Sequence, residues 1–447
     1  MKLCFIWHMH QPYYKDPLSG TYLLPWVRLH GCKDYLDMVT LADEYPSVKM
    51  CFNLVPSLLD QLEDYAASTA IDYQLELSRR RPAELNNVEK IEITRQFFSA
   101  NPPTMIEPYP RYQELRELCT KLQGHDLVAK LTDQDLLDLQ VWYNATWIDP
   151  TLRGDPRISG LYEKGRGFSE TEKQQLLDYQ REIIGRIIPA YRQRQDAGRI
   201  EVSFSPYYHP ILPLLIDTDV AQMGMPQAKL PERRFTHPED ARWQIAKATE
   251  RYRELFGRDQ RGMWPSEGSV SEAILPLLAE QGIGWIATDE EIYAASVPEI
   301  VDKSRGARAE TGLGFHQPLV VSVQGQELGI LFRDHTLSDK IGFVYSKWDP
   351  DRAAHDFVEQ LLELDKLLAA RSDAEPLVTI ILDGENAWEY YRNDGVDFLR
   401  ALYQKLEQSD KLATVLPSDV FSESEKIERL SKLFPGSWIN HDFHVWI

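Results

Sequence analysis

The chain has 447 residues, 43% of them hydrophobic and 26% charged, which is an ordinary globular composition long enough for one large barrel with insertions or for several smaller domains. Its formal net charge of −20 argues against general nucleic-acid binding and against docking on anionic membrane, since both need a basic face. The four cysteines, Cys4, Cys32, Cys51 and Cys119, are scattered without CxxC spacing, so a disulfide framework is not expected.

The start, MKLCFIWHMHQPYY, has too short an apolar run for a signal-peptide core. No apolar stretch reaches the ~18 residues of a membrane span. A cytoplasmic protein is expected.

In chain order, short apolar runs occur at 2–7 (KLCFIW), 48–55, 200–205, 261–265, 282–288, 328–333 and 376–382 (PLVTIIL). Most are continuous rather than alternating, as in strands buried on both faces of a parallel sheet. Long helical patterns at 170–195, 238–257 and 351–371 separate several of them. Seven strands alternating with helices predict an α/β parallel barrel. One connection breaks the rhythm. Residues 56–198 read as helices without a core strand and are taken as a helical insertion. DGVDFLRALYQKLEQSD and VFSESEKIERLSKLF near the end read as two further helices.

Polar motifs follow the strands: His8-Met-His10-Gln-Pro, Ser205-Pro-Tyr-Tyr-His209, Trp264-Pro-Ser-Glu267, Thr288-Asp289-Glu290, Arg333-Asp334-His335 and Asp383-Gly-Glu385-Asn-Ala-Trp388. The C-terminal ends of parallel barrel strands converge on one face, where active sites form. Each motif also has a plainer reading. His8 and His10 share one face of a strand and could hold a metal, but no acid accompanies them, so a polar cleft lining is preferred. Glu267 could serve only a helix N-terminus, Asp383 only a turn, and Asp334–His335 only a structural pair. Two carboxylates on separate strands, with aromatics and histidines around them, suit glycoside hydrolysis: one acid ionised to attack, the other protonated for the leaving oxygen.

The set HMHQPYY, GRIEVSFSPYYHPILPLL, GMWPSEGSV, ILDGENAWEYY and GSWINHDFHVWI resembles the five conserved regions of glycoside hydrolase family 57, in order and from His8 to Trp446. FRDHTLSDKIGF is similar to its amylase and amylopullulanase branch. The resemblance implies an incomplete (β/α)7 barrel and retaining chemistry on α-1,4-glucans, with no metal and no cofactor. It puts Glu267 at the nucleophile position and Asp383 at the acid/base position. His10, Glu201, His209, Trp264, Glu385 and Trp388 match binding or cleft positions. His8, Asp334, His335 and Trp438 complete the expected substrate-binding set. Trp388, Tyr390 and Tyr391 are expected as sugar-stacking walls.

The resemblance further implies helical continuation after the last motif. The chain is therefore divided into a catalytic barrel over 1–415, including the insertion 56–198, and the start of a C-terminal helical region over 416–447, cut short at Ile447. The expected partner is an α-glucan oligo- or polysaccharide. A 4-α-glucanotransferase would use the same residues. Two other chemistries stay open: a metal-dependent, polysaccharide deacetylase-like hydrolase using His8, His10 and a remote Asp, and a glucan binder without turnover.

Overall fold

The computed structural model describes every residue except 123, 298–313, 324, 371–374 and 424–426. Seven parallel strands form the central sheet: β1 Lys2–Met9, β2 Met50–Leu54, β3 Ile200–Phe204, β4 Gly262–Met263, β5 Trp285–Asp289, β6 Gln326–Arg333 and β7 Leu377–Asp383. Their spatial order is β7-β1-β2-β3-β4-β5-β6. A single parallel pair, Thr379 with Arg333, joins β7 to β6 and closes the ring at its thinnest seam. This is the incomplete (β/α)7 barrel expected from the motifs. Each of the seven apolar runs supplies one strand, because an all-parallel sheet is covered on both faces and favours unbroken apolar sequence. β2, β3 and β5 are buried at every residue.

Helices cover the outside. Glu170–Asp196 starts at a capping box, in which Ser169 and Glu172 satisfy each other's backbone N–H. Pro238–Phe256 ends on Gly257 in the left-handed region, which a residue without Cβ adopts at little cost. Pro350–Ala369 is capped by Asp349, and Val396–Glu407 packs against it. The stretch between β2 and β3 is helical. Among its described residues the one strand is Ile71–Asp72, a two-residue pairing with Thr21–Tyr22. Buried Arg28 ties the insertion together, bonding Asp72, Asn144 and Gln180 at 2.7–3.1 Å.

The far end departs from the expected helices. Leu319–Val323 forms an antiparallel hairpin with β6. Pro417–Glu423 is helical, but Glu428–Leu430 is a strand that adds in parallel to Leu319–Val321. An unpaired sheet edge offers backbone partners that outweigh a weak helical preference in so short a segment. The chain then folds back over the barrel mouth, where Gly436 bridges Val270. Among the described residues no helix is long and apolar enough to cross a membrane.

Candidate active site

The end of β1 lies beside the end of β7, with His8 paired to Asp383 in register. Gly384 then donates its N–H to the His8 carbonyl at 2.7 Å. A Cβ on Gly384 would sit 2.3 Å from Met9 Sδ, so a larger residue would have to displace the buried Met9 side chain. The turn buries Glu385. Its Oε1 accepts from the His10 backbone N–H at 2.9 Å and from Gln11 Nε2 at 3.4 Å, and the Tyr35 hydroxyl reaches it at 3.5 Å. Burial, with the Asp383 charge next, holds the Glu385 carboxyl well above the usual range. Glu385 thereby pins the loop after β1. Asp383 itself is half-buried and accepts from Asn386 Nδ2 at 2.9 Å.

Glu267 arrives from the short β4 through Trp264 and Pro265, with its backbone at φ 57°. Trp438 grips it twice. The Trp438 backbone N–H donates to the Glu267 carbonyl at 3.0 Å, and the indole Nε1–H donates to Glu267 Oε2 at 2.9 Å. Burial is the main force pushing the Glu267 carboxyl up to about 7; the Trp438 bond favours the anion, and the Asp383 charge opposes it.

Three histidine rings lie beside them. Ring centroids are 5.6 Å apart for His8–His10, 5.0 Å for His8–His209 and 3.9 Å for His10–His209. His209 also has φ 57°, and its Nδ1 is 3.6 Å from Glu267 Oε1. Burial lowers all three pKa values, that of His10 to about 3, so the rings are neutral. His8 Nδ1 pairs with Asn53 Oδ1 at 2.7 Å, and Asn53 Nδ2 donates to Ser203 Oγ at 3.1 Å. Asn53 was not singled out in the sequence, although a lone amide within CFNLV was a visible signal. The three histidines each place a nitrogen within 4.8 Å of the others, as do ligand atoms of Asp289, Glu291 and His335. In the second set the Arg333 guanidinium, 3.3 Å from Asp289, competes with any cation.

The remaining expected residues divide. His335 lies between Asp289 at 3.5 Å and Asp339 at 2.9 Å, which raise its pKa to about 9 and keep it cationic; it lines a cavity of about 570 Å³ with Asp383 and Trp438. Arg333, behind it, lies over the Trp438 ring at 5.3 Å. Asp334 caps the helix His335–Asp339 and bonds His316 Nε2 at 3.0 Å, which also accounts for the second His-Gln-Pro. Trp264 is fully buried and packs against Trp438 at 5.5 Å.

Two positions lie elsewhere than the cleft walls. Glu201 is the second residue of β3, at the opposite end of the barrel, where it accepts from Trp285 Nε1 at 2.8 Å and Ser418 Oγ at 2.7 Å. Trp388 is buried against Trp7 and Tyr391, and its indole N–H donates to Gly384 O at 2.8 Å. Trp388 and Tyr391 are core supports for the turn. Tyr390, 60% exposed, is the ring that faces solvent. It stands between the 570 Å³ cavity and a second one of about 530 Å³ lined by Gln11, Trp26 and Trp147.

A parallel barrel with two acids and neutral imidazoles at the C-terminal mouth has the layout of barrel enzymes that act on glycosides. Residues 4–432 match the description of Glycosyl hydrolase family 57, and the chain belongs to that family, whose members are hydrolases and transferases of α-glucans. Its structure is similar to a GH57-type branching enzyme from Pyrococcus horikoshii (TM-score 0.59, 14% identity, covering 100% of this chain and 74% of that one). It is also similar to the α-amylase AmyC from Thermotoga maritima (TM-score 0.58, 14% identity, 98% and 77%). 4-α-Glucanotransferase from Thermococcus litoralis gives a TM-score of 0.51 at 14% identity, over 98% of this chain and 43% of that one. Among curated sequences, Alpha-amylase 1 of Dictyoglomus thermophilum is 21% identical over 256 residues, which is 56% of this chain and 30% of that protein.

Proposed function

We propose that the chain is a retaining enzyme of α-1,4-glucans, with Glu267 as nucleophile and Asp383 as general acid/base. The observation that carries this reading is the environment of Glu267: an indole N–H that favours its anion and neutral His209 beside it. In the first step Asp383 gives its proton to the leaving glycosidic oxygen while Glu267 Oε attacks the anomeric carbon, forming a β-linked glycosyl-enzyme. In the second step Asp383 takes a proton from water or from a sugar hydroxyl, which attacks and releases Glu267. His10 and His209, being neutral, each offer sugar hydroxyls one donor and one acceptor nitrogen, whereas His8, whose Nδ1–H is given to Asn53, keeps only Nε2 as an acceptor.

The nucleophile must be ionised, so activity is expected to rise with pH through about 7 as Glu267 loses its proton. Water as acceptor gives an amylase, a glucan 4-hydroxyl a 4-α-glucanotransferase and a 6-hydroxyl a branching enzyme. Maltoheptaose followed by NMR and product separation tests the proposal. Retention requires that the α-anomer appear first, whereas β first would overturn it. Shorter products alone mean hydrolysis, longer ones transfer, and new α-1,6 linkages on amylose mean branching.

The cluster of His8, His10 and His209 favours one second reading, a metal-dependent hydrolase. Loss of turnover with a chelator, and its return with zinc, would replace the first reading by this one. A cytoplasmic setting accords with four free cysteines, three of them buried.

A further inference from the structure

Large aromatic rings are normally spent on the core, yet three neighbouring ones stay open on the rim of the barrel mouth. Tyr13 is 41% exposed, Tyr208 46% and Trp243 50%. They form one patch. Tyr13 meets Tyr208 edge-on at 5.4 Å, and Tyr208 lies nearly parallel to Trp243, 16° between planes at 6.3 Å. We infer that Tyr13, Tyr208 and Trp243 form a stacking platform for the stretch of α-glucan chain that runs out beyond the catalytic pocket. The inference rests on the α-glucan reading above and assigns a longer binding path to the same site.

Continuity with the site is built into the backbone. His209, in the left-handed region, turns its ring inward, while its neighbour Tyr208 faces out. Tyr13 follows His10 by three residues, and the His10 and His209 rings touch at 3.9 Å inside the mouth. The two segments that line the pocket with imidazoles therefore present phenols on the adjoining rim. The patch is also rigid. Gln244, next to Trp243, accepts from Tyr208 N–H through its side chain at 2.8 Å and from Tyr207 N–H through its carbonyl at 3.2 Å. Tyr207 lies beneath, 7% exposed, with its hydroxyl on Asp60, which Arg251 Nε also holds at 3.0 Å. A neutral glucan offers no charge to grip. It offers C–H faces and hydroxyl edges, which suit rings that are apolar across the face and polar at the tip. Fixed rings also lose little conformational entropy on binding.

The test uses Tyr208→Ala, Trp243→Ala, the double variant and Trp243→Phe in the full chain. Retention in native gels containing amylose and kcat/KM on amylose and on maltotriose are measured, with sedimentation of each protein. The double variant is expected to lose about tenfold in amylose retention and in kcat/KM on amylose, with under about twofold change on maltotriose, and Trp243→Phe to recover most of it. Equal values for wild type and double variant on amylose, or equal losses on amylose and maltotriose, would overturn the platform. So would a change from dimer to monomer with amylose retention intact, since the patch would then belong to a second copy. A wild type that turns over no α-glucan sinks the functional reading alone if amylose still retains it and the double variant escapes, and sinks the platform too if amylose does not retain it.

Discussion

At Glu267 the backbone stands at φ 57°, a region that costs a residue with a side chain about 1 kcal/mol, and its carboxyl is held near neutrality in pKa. Glycine tolerates this backbone, so Glu267→Gly is expected to fold while losing turnover. Azide should then attack the anomeric carbon directly and yield a β-glycosyl azide. In Asp383→Asn, azide should instead capture the glycosyl-enzyme formed from an activated aryl glycoside and yield an α-glycosyl azide. Exchange of the two products in NMR would exchange the two roles. A second expectation concerns stability. The folded Glu267 carboxyl, at about 7, lies above the free value of 4.5, so the folded state binds this proton more tightly. The stabilisation from that proton is present at low pH and is lost as pH climbs from 4.5 through about 7. Glu267→Gln escapes the loss and should melt higher than wild type at about pH 8, by the equivalent of roughly 3 kcal/mol, with the gap closing near pH 4. At this scale Glu267, Asp383 and the histidines were legible because polar residues ending apolar strands are conspicuous. Glu201 entered through the resemblance alone; as the second residue of the run 200–205 it belongs to the N-terminal end of its strand, away from the mouth. The indole bond from Trp438, 171 positions away, leaves no local trace in sequence.

Among the elements, β4 is the one most exposed to damage. It has two residues, pairs with β3 through Phe204–Met263 alone, and delivers Glu267. A Cβ on Gly262 would lie 1.8 Å from the Trp285 ring. Gly262→Ala must therefore push Trp285 off its bond to Glu201, with an expected loss of about 2–3 kcal/mol, read as a lower Tm and an altered near-UV signal of the tryptophans. An unchanged Tm would mean that β4 shifts freely. All seven barrel strands could be read from short apolar runs, most of them continuous, even this short one, since RGMWP keeps an apolar signal at Met263 and Trp264. The hairpin strand Leu319–Val323 and the late strand Glu428–Leu430 could not. Their pairing partners exist only after the sheet has formed, and IERL suits a helix as well as an edge.

Across the whole molecule, the first strand finds its neighbour almost last. β1 pairs β7 over seven residue pairs, from Lys2–Leu377 to His8–Asp383, while β7 meets β6 through one. A chain cut after residue 370 would leave β1 as an open edge, would strip Leu319–Val321 of its partner Glu428–Leu430, and would remove Asp383. Such edges template pairing between chains. The truncated protein is expected to aggregate or remain unfolded, which solubility and size-exclusion profiles would show; a monodisperse product would mean that the other six strands suffice. Fold class was legible at this scale because alternation of strand and helix is a global pattern. The ring's uneven closure was not, because it depends on how far two strands overlap.

The double grip of Trp438 on Glu267 has a consequence for timing. Synthesis proceeds from the N-terminus. A nascent chain can expose both carboxylates and most of the barrel while the indole that bonds Glu267 is still inside the ribosome. Such a chain would hold both acids while Glu267 still lacked its indole partner. On the proposed reading, competence would thus come only once Trp438 has emerged, well after the two acids.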